Sequence, residues 1–179
     1  MQNKDFNRNL DVAIIGAGFS GLYMVHSMRN RGLSVKSFEK GNGVGGTWYW
    51  NRYPGAGSDI ESLEYSYSFS EELQQEWKWK ERYASQPELE AYLEHVADRF
   101  DLNKDIELNV SVDEMVWIQD QARWKVTLST GEVISARFMV MATGLLSSPK
   151  KVEFEGSDEF KGELYKTYDW PHEDVSFKG

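Results

Sequence analysis

Three glycines carry the first chemistry in this chain. Gly16-Ala17-Gly18-Phe19-Ser20-Gly21 matches G-x-G-x-x-G, directly after an apolar run at 10–15 and at the opening of a stretch with helical spacing. Gly16 permits a tight turn out of a strand. Gly18 lets backbone approach a diphosphate where a Cβ would clash, and Gly21 lets a helix pack closely on the strand. The unbonded N–H groups of the helix's first turn, together with its dipole, then favour two phosphate charges. Glu39 closes the next strand-like run, at about the 20-residue spacing of a carboxylate that accepts hydrogen bonds from ribose hydroxyls. An acid there repels a 2′-phosphate, so the pattern asks for FAD or NAD rather than NADP.

The elements that must hold these groups are legible around them. Residues 10–15 read as a buried strand. Leu22, Val25 and Met28 fall on one face of a helix over 21–31, and Gly32 stands where that helix stops. Residues 34–39 form a second strand, so the unit is parallel β-α-β with a right-handed crossover. Residues 40–62 read as a long functional loop without periodicity, kept ordered by Trp48, Tyr49, Trp50 and Tyr53. A helix is expected over 70–82. Ser85-Gln86-Pro87-Glu88 has the pattern of a capping box, with its proline in the first turn. Leu89, Tyr92, Leu93, Val96, Ala97 and Phe100 mark the apolar face of the next helix.

Ile106, Leu108, Val110 and Val112 alternate, and so do Trp124, Val126 and Leu128. Thr130-Gly131 is a turn before residues 133–135, and 137–142 read as a buried strand returning to the first sheet. The expected fold class is α/β: a Rossmann-like FAD-binding domain with a parallel sheet and an inserted antiparallel β-meander. Two segments downstream of the glycine motif separate FAD from NAD. Gly45-Gly46-Thr47-Trp48 and Ala142-Thr143-Gly144 supply a second and a third contact for an extended two-nucleotide cofactor. The plainer reading keeps Trp48 and Trp50 as core aromatics, Trp50 above all.

Composition narrows the partners. The 179 residues carry 20 lysines and arginines against 29 aspartates and glutamates, a net charge of −9. Such a chain repels nucleic acid and anionic membranes, so neither is an expected partner. There is no cysteine, which removes disulfides, thiolate metal sites and thiol catalysis from these residues. Residues 1–9 are polar and mixed in charge, unlike a signal peptide. The apolar runs at 12–15 and 138–142 are too short to span a bilayer. The expectation is a cytoplasmic globular protein. His26, His95 and His172 lack metal-ligand spacing, and no metal site is expected; His95 falls off the apolar face of its helix, as a solvated side chain would.

The residues from Gly45 to Gly55, GGTWYWNRYPG, closely resemble the second FAD motif of type I Baeyer–Villiger monooxygenases, and so does Asp59-Ile60-Glu61-Ser62. Ala142-Thr143-Gly144 with Leu146, Ser147 and Pro149 is similar to that family's ATG segment. Phe160, Gly162, Trp170 and Pro171 keep the spacing of its fingerprint F-x-G-x-x-x-H-x-x-x-W-P, with Lys166 at the histidine position. Val152 stands where the family has a second proline after the ATG segment. Lysine keeps a donor but neither accepts while charged nor titrates near neutral pH. The change bears on how reduction is coupled to oxygenation, not on FAD binding.

The resemblance implies a domain division of 1–150 for FAD and 151–179 for a linker bearing the fingerprint, leading to a nicotinamide domain. It implies FAD and NADPH as cofactors and a small ketone and O2 as partners. NADPH reduces the flavin; one oxygen atom is inserted to give an ester or lactone, and the other leaves as water. Asp59 is the catalytic residue implied, beside the flavin ring and positioning an arginine. Cofactor contacts implied or read from the motifs are Gly16, Gly18, Ser20, Gly21, Glu39, Lys40, Gly46, Thr47, Trp48, Asp59, Tyr65, Val112, Ala142, Thr143 and Gly144. Members of the family are about three times longer. Most of the NADPH site, the arginine and most of the ketone pocket are therefore expected outside this chain, which is expected to be a fragment, inactive alone, completed by the rest of its polypeptide or by a second chain. A nitrogen- or sulfur-oxidising flavin monooxygenase and an inactive FAD-binding fragment are the alternatives.

Overall fold

The computed structural model describes residues 6–150 and 152–178. The first strand, β1 (Arg8–Ile15), runs into the glycine turn and helix α1 (Phe19–Asn30). Leu22 and Val25 of that helix are buried, and Gly32 lies beyond its end with φ +74°. The Gly32 N–H donates to Arg29 O (2.9 Å) and the Leu33 N–H to Met28 O (3.2 Å). This pair of bonds closes a helix on a left-handed residue, which glycine adopts without steric cost. The chain re-enters the sheet as β2 (Val35–Glu39), parallel to β1, with Val12 opposite Val35 and Ile15 opposite Phe38.

Between β2 and the next helices the loop is not wholly irregular: α2 (Thr47–Trp50) forms a single turn inside it. The helix expected over 70–82 is shorter. It is α3 (Glu71–Glu76), capped by the Ser70 hydroxyl accepting from the Leu73 N–H, and the chain turns extended at Trp77 (ψ 127°). Extended backbone puts residues two apart on one side, which lets Trp77 and Trp79 both lie against Tyr92, with ring centroids 5.3 and 4.9 Å away. That aromatic packing outweighs continuing the helix. Trp77 also covers His95 (5.3 Å), whose Nε2 is buried without a hydrogen-bond partner among the described residues, so this histidine is half-buried rather than solvated.

Helix α4 (Gln86–Arg99) starts at Ser85 with proline in its first turn, but the capping box does not close. The Ser85 side chain makes no capping bond, and Glu88 Oε1 accepts instead from the Lys80 N–H at 2.8 Å. Leu89, Tyr92, Leu93, Val96 and Ala97 are buried as the periodicity requires.

The run from Ile106 to Val112 divides in two. Asn109 takes φ +58° and breaks it, a conformation that asparagine tolerates better than most residues. Before the break, β3 (Ile106–Leu108) pairs parallel with β2 and joins the first sheet. After it, β4 (Val112–Ile118) pairs antiparallel with β5 (Arg123–Leu128). The two stretches expected at 133–135 and 137–142 are one strand, β6 (Val133–Met141). Its first half pairs antiparallel with β5 while its length pairs parallel with β1, from Arg8–Ile134 to Ile15–Met141. The meander is thus continuous with the parallel strands, in one mixed sheet ordered β3-β2-β1-β6-β5-β4. Phe138 and Met141 are each 55% exposed, so β6 is buried only in its first half.

Two apolar clusters hold the sheet. Val12 and Ile14 pack with Leu22, Val25, Leu89 and Leu93 on the helical side. Ala13 and Phe38 pack with Val126, Leu128 and Ile134 in the second. No helix of the described residues is long and apolar enough to cross a membrane. Lys151, at the expected boundary between domain and linker, Met1–Asp5 of the polar N-terminus, and Gly179 lie outside the described residues. From Leu145 the described residues are mostly irregular and exposed, with a turn at 155–159 and a short 3-10 helix over Thr167–Asp169.

Candidate functional site

Where β1 ends, the glycine turn is made by two backbones approaching closely. Gly16 has φ +101°, and a Cβ on it would lie 2.6 Å from Ala142 O, just past the end of β6. A Cβ on Gly21 would lie 2.0 Å from Gly16 O, so α1 can pack this close to β1 only with glycine there. At Gly18 the nearest group is another glycine: its Cβ would sit 3.2 Å from Gly46 Cα, and a Cβ on Gly46 2.8 Å from Gly18 Cα. The crowding that Gly18 relieves is therefore within the protein, where the aromatic loop meets the turn. The Gly45 N–H donates to Ala17 O at 3.0 Å and fastens that contact.

A second glycine run, Gly41-x-Gly43-x-Gly45-Gly46, also follows a strand. Cβ atoms on Gly41 and Gly43 would meet the Tyr49 ring at 2.6 and 3.0 Å. These two glycines house an aromatic ring, and the helix after them is a single turn.

Around the turn lies a cavity of about 410 Å³, the size of a small-molecule site. Of the fifteen residues expected at the cofactor, Gly16, Gly18, Ser20, Glu39, Lys40, Gly46, Thr47, Trp48, Tyr65, Val112, Ala142, Thr143 and Gly144 border it. Gly21 lies behind it, at the helix–strand contact. Asp59 does not border it. Its segment is tied to the chain at 82–85 by Ser58 N–H to Ala84 O (2.9 Å), Ser62 N–H to Arg82 O (2.8 Å) and a bridge from Gly57 to Ser85. Its carboxylate is exposed and takes no bond from another described residue.

The cavity has two kinds of wall. Beside Glu39, the Val110 N–H donates to Glu39 O (2.9 Å) and brings residues 110–112 alongside. Glu39 is 5% exposed; its Oε2 accepts from the Ala17 N–H and its Oε1 from the Gly41 N–H, each at 2.9 Å. Toward the aromatic loop, Trp48 Nε1 donates to the Tyr65 hydroxyl at 3.2 Å, and the Tyr65 ring stands edge-on to Phe19 at 5.0 Å. Trp50, a core aromatic on the plainer reading of the sequence, borders the cavity beneath the Lys40 ammonium, 4.7 Å from its ring centroid. Asn51, marked in the sequence only as part of the GGTWYWNRYPG stretch, and Ser111, unmarked there, also border it; their positions follow from the α2 turn and from the Asn109 break.

Supports behind the wall hold α2 rigidly. Gln86 donates to Trp48 O and, at 2.7 Å, to Glu90; Arg52 donates to Tyr49 O and pairs with Glu90 at 2.8 Å. Behind Phe19, the Tyr67 hydroxyl donates to Phe19 O at 2.6 Å. Burial, and secondarily the neighbouring Tyr92, hold Tyr67 far above the usual phenol range, so it acts as a donor only. The fingerprint residues stand apart from the cavity: Phe160 is exposed, Lys166 lies over Tyr168 (5.8 Å), and Trp170 packs on Tyr165 (5.5 Å). The tail touches the aromatic loop at His172, 5.1 Å from the Tyr49 ring.

The pyridine nucleotide-disulphide oxidoreductase family model matches residues 13–176, a span that includes the glycine turn and Glu39. The chain belongs to this family. With no cysteine in its 179 residues, this member has no thiol chemistry of its own here. It is 45% identical over 170 residues to an acetone monooxygenase (methyl acetate-forming) of Gordonia sp. (strain TY-5), covering 95% of this chain and 32% of that protein. It is 46% identical over 172 residues to a phenazine N-monooxygenase of Lysobacter antibioticus, covering 96% and 32%. Among solved structures, an oxidized steroid monooxygenase bound to NADP matches with TM-score 0.90 and 53% identity, over 96% of this chain and 33% of that one. An ε-caprolactone-bound cyclohexanone monooxygenase matches with TM-score 0.91 and 44% identity, over 94% and 33%. The chain spans about a third of the length of the relatives it matches. The likeness to Baeyer–Villiger monooxygenases seen in the motifs therefore runs along nearly the whole chain.

Proposed function

We propose that this chain binds FAD and forms the flavin-holding part of an NADPH- and O2-dependent monooxygenase acting on small ketones. One observation carries the reading: the glycine turn, Glu39, the Trp48–Tyr65 pair and Ala142-Thr143-Gly144, far apart in sequence, line one cavity. The groups present suit that cofactor. The N–H groups of Gly18, which caps α1, and of Phe19 and Ser20 in its first turn meet the diphosphate with the positive end of the helix dipole. Glu39, Lys40 and residues 110–112 take the adenosine end. Thr47, Trp48 and Tyr65 take the flavin end, where their rings exclude water. Bound flavin supplies hydride acceptance and oxygen activation. Asp59, exposed and without an ion pair among the described residues, stands ready for a cationic partner and is the acid we assign to catalysis. The acetone and cyclohexanone enzymes among its relatives support a ketone as substrate. We also place the division between flavin domain and linker near residue 150.

A second reading has its own support. The phenazine N-monooxygenase is as similar as the ketone enzymes, which favours oxidation at nitrogen on the same flavin scaffold. The test begins with the purified chain: an absorption spectrum shows bound flavin, and anaerobic NADPH addition tests bleaching. Bound FAD with no bleaching by NADPH is expected. A colourless protein that takes up no FAD refutes the reading, and rapid bleaching refutes the assignment of nicotinamide binding to residues outside the described cavity. Turnover of a ketone against an N-heterocycle, by the flavin-loaded protein with all parts its relatives possess, separates the two substrates.

A further inference from the structure

Glu39 makes two hydrogen bonds that need no ligand. Its two carboxylate oxygens accept from the Ala17 and Gly41 N–H groups, both at 2.9 Å, and the residue is only 5% exposed. Ala17 is the second residue of the glycine turn, and its carbonyl accepts from the Gly45 N–H at 3.0 Å. Its neighbour Gly16 is held on both sides by β2: the Gly16 N–H donates to Phe38 O (2.9 Å), and Gly16 O accepts from the Ser37 hydroxyl (2.9 Å). The turn is thus gripped by three successive residues of β2 and by the aromatic loop. A carboxylate offers about four acceptor directions. Two are filled here, and the remainder stay open to the cavity that Glu39 borders.

We propose that Glu39 is a positioning residue for the phosphate cradle, in addition to any acceptor role at the sugar. Its carboxylate fixes the Ala17 and Gly41 peptides, so that the adjoining α1 amides are aimed before the cofactor arrives. Removing it leaves two donors, Ala17 in the glycine turn and Gly41 in the loop after β2, without their acceptor, a loss larger than that of one ordinary hydrogen bond. Pre-alignment of a binding loop raises affinity by sparing its ordering on binding. The inference rests on the FAD reading, and its test separates the two.

The test is a cycle of two proteins and two ligands. Wild type and Glu39→Ala, each as the whole chain, are titrated with FAD and with an FAD analogue whose adenosine ribose lacks both hydroxyls. A carboxylate that served only the ribose would leave affinity for the analogue unchanged by the substitution. The expected result is that Glu39→Ala weakens the analogue by about tenfold or more. In ligand-free protein, the Ala17 and Gly41 amides should exchange with solvent about tenfold faster in the variant, while the Val126 amide keeps its wild-type rate and reports an intact sheet. Glu39→Gln, which retains one acceptor oxygen, should fall between the two and replaces the alanine variant if that one does not fold. Unchanged analogue affinity with unchanged Ala17 exchange overturns the proposal. Failure of the wild type to bind FAD refutes the flavin reading instead, and the exchange measurement then decides on Glu39 alone.

Discussion

Replacing Gly46 by alanine adds one methyl group where two backbones already touch. Gly46 has φ +55° and ψ −117°, a combination outside the wells open to residues with a Cβ; holding alanine there costs about 1–3 kcal/mol. The new Cβ would also stand 2.8 Å from Gly18 Cα, a clash with backbone that cannot rotate away, and overpacking of this kind costs roughly 1–3 kcal/mol more. Together these give a loss of about 2–6 kcal/mol. The strain relaxes most easily by moving the aromatic loop off the glycine turn, which opens the cavity between them. Gly55→Ala is the control. Gly55 also has positive φ (+81°), but nothing lies within 4 Å of its Cβ position, so only the backbone penalty of about 1–2 kcal/mol applies. Urea unfolding gives both losses, and flavin fluorescence gives both affinities. Gly46→Ala should be the less stable by at least about 1 kcal/mol and should bind FAD at least about tenfold more weakly, while Gly55→Ala keeps wild-type affinity. Equal stability of the two variants, or wild-type FAD affinity in Gly46→Ala, would refute the argument that this contact shapes the cleft.

Two further perturbations probe the frame. Arg8, on β1, ties the edge strand β3 to the β5–β6 turn by pairing with Glu107 of β3 and, at 2.8 Å, with Glu132 before β6, and those carboxylates hold its guanidinium above its ordinary range; with side chains about 30% exposed on each side, Arg8→Ala should cost about 1–2 kcal/mol in urea unfolding, and less in high salt. His26 packs against Phe69 at 4.5 Å and Phe100 at 4.9 Å, and burial, with Arg29 adding to it, lowers its pKa below 6.5. The folded state then binds fewer protons than the unfolded one, so this stability is complete above about pH 6.5 and declines as pH falls toward the folded value. His26→Phe should flatten the stability profile between about pH 7 and 5, and an unchanged slope would show that other groups set it.

The residues and their order determined the local conformations by themselves. An apolar run ending in glycine makes a strand that must turn, and Gly32 stops α1 because only a residue without a Cβ readily takes the left-handed position there. The spacing from Gly16 to Glu39 already placed an acid beside the turn. Tertiary structure decided the rest. The alternation from Ile106 to Val112 looks uniform in sequence, but Asn109 divides it between two neighbours of opposite sense. Nothing local ends α3 at Glu76; the burial of Trp77 and Trp79 against Tyr92 does. Gly18 is legible as a close approach, but its partner is Gly46, far along the chain. Asp59 carries a family motif and yet lies outside the cavity. Short-range pattern encodes backbone torsions and nearby hydrogen bonds, because those depend on neighbours in the chain; which surfaces meet depends on burying apolar area between segments distant in sequence, and that only the assembled sheet determines.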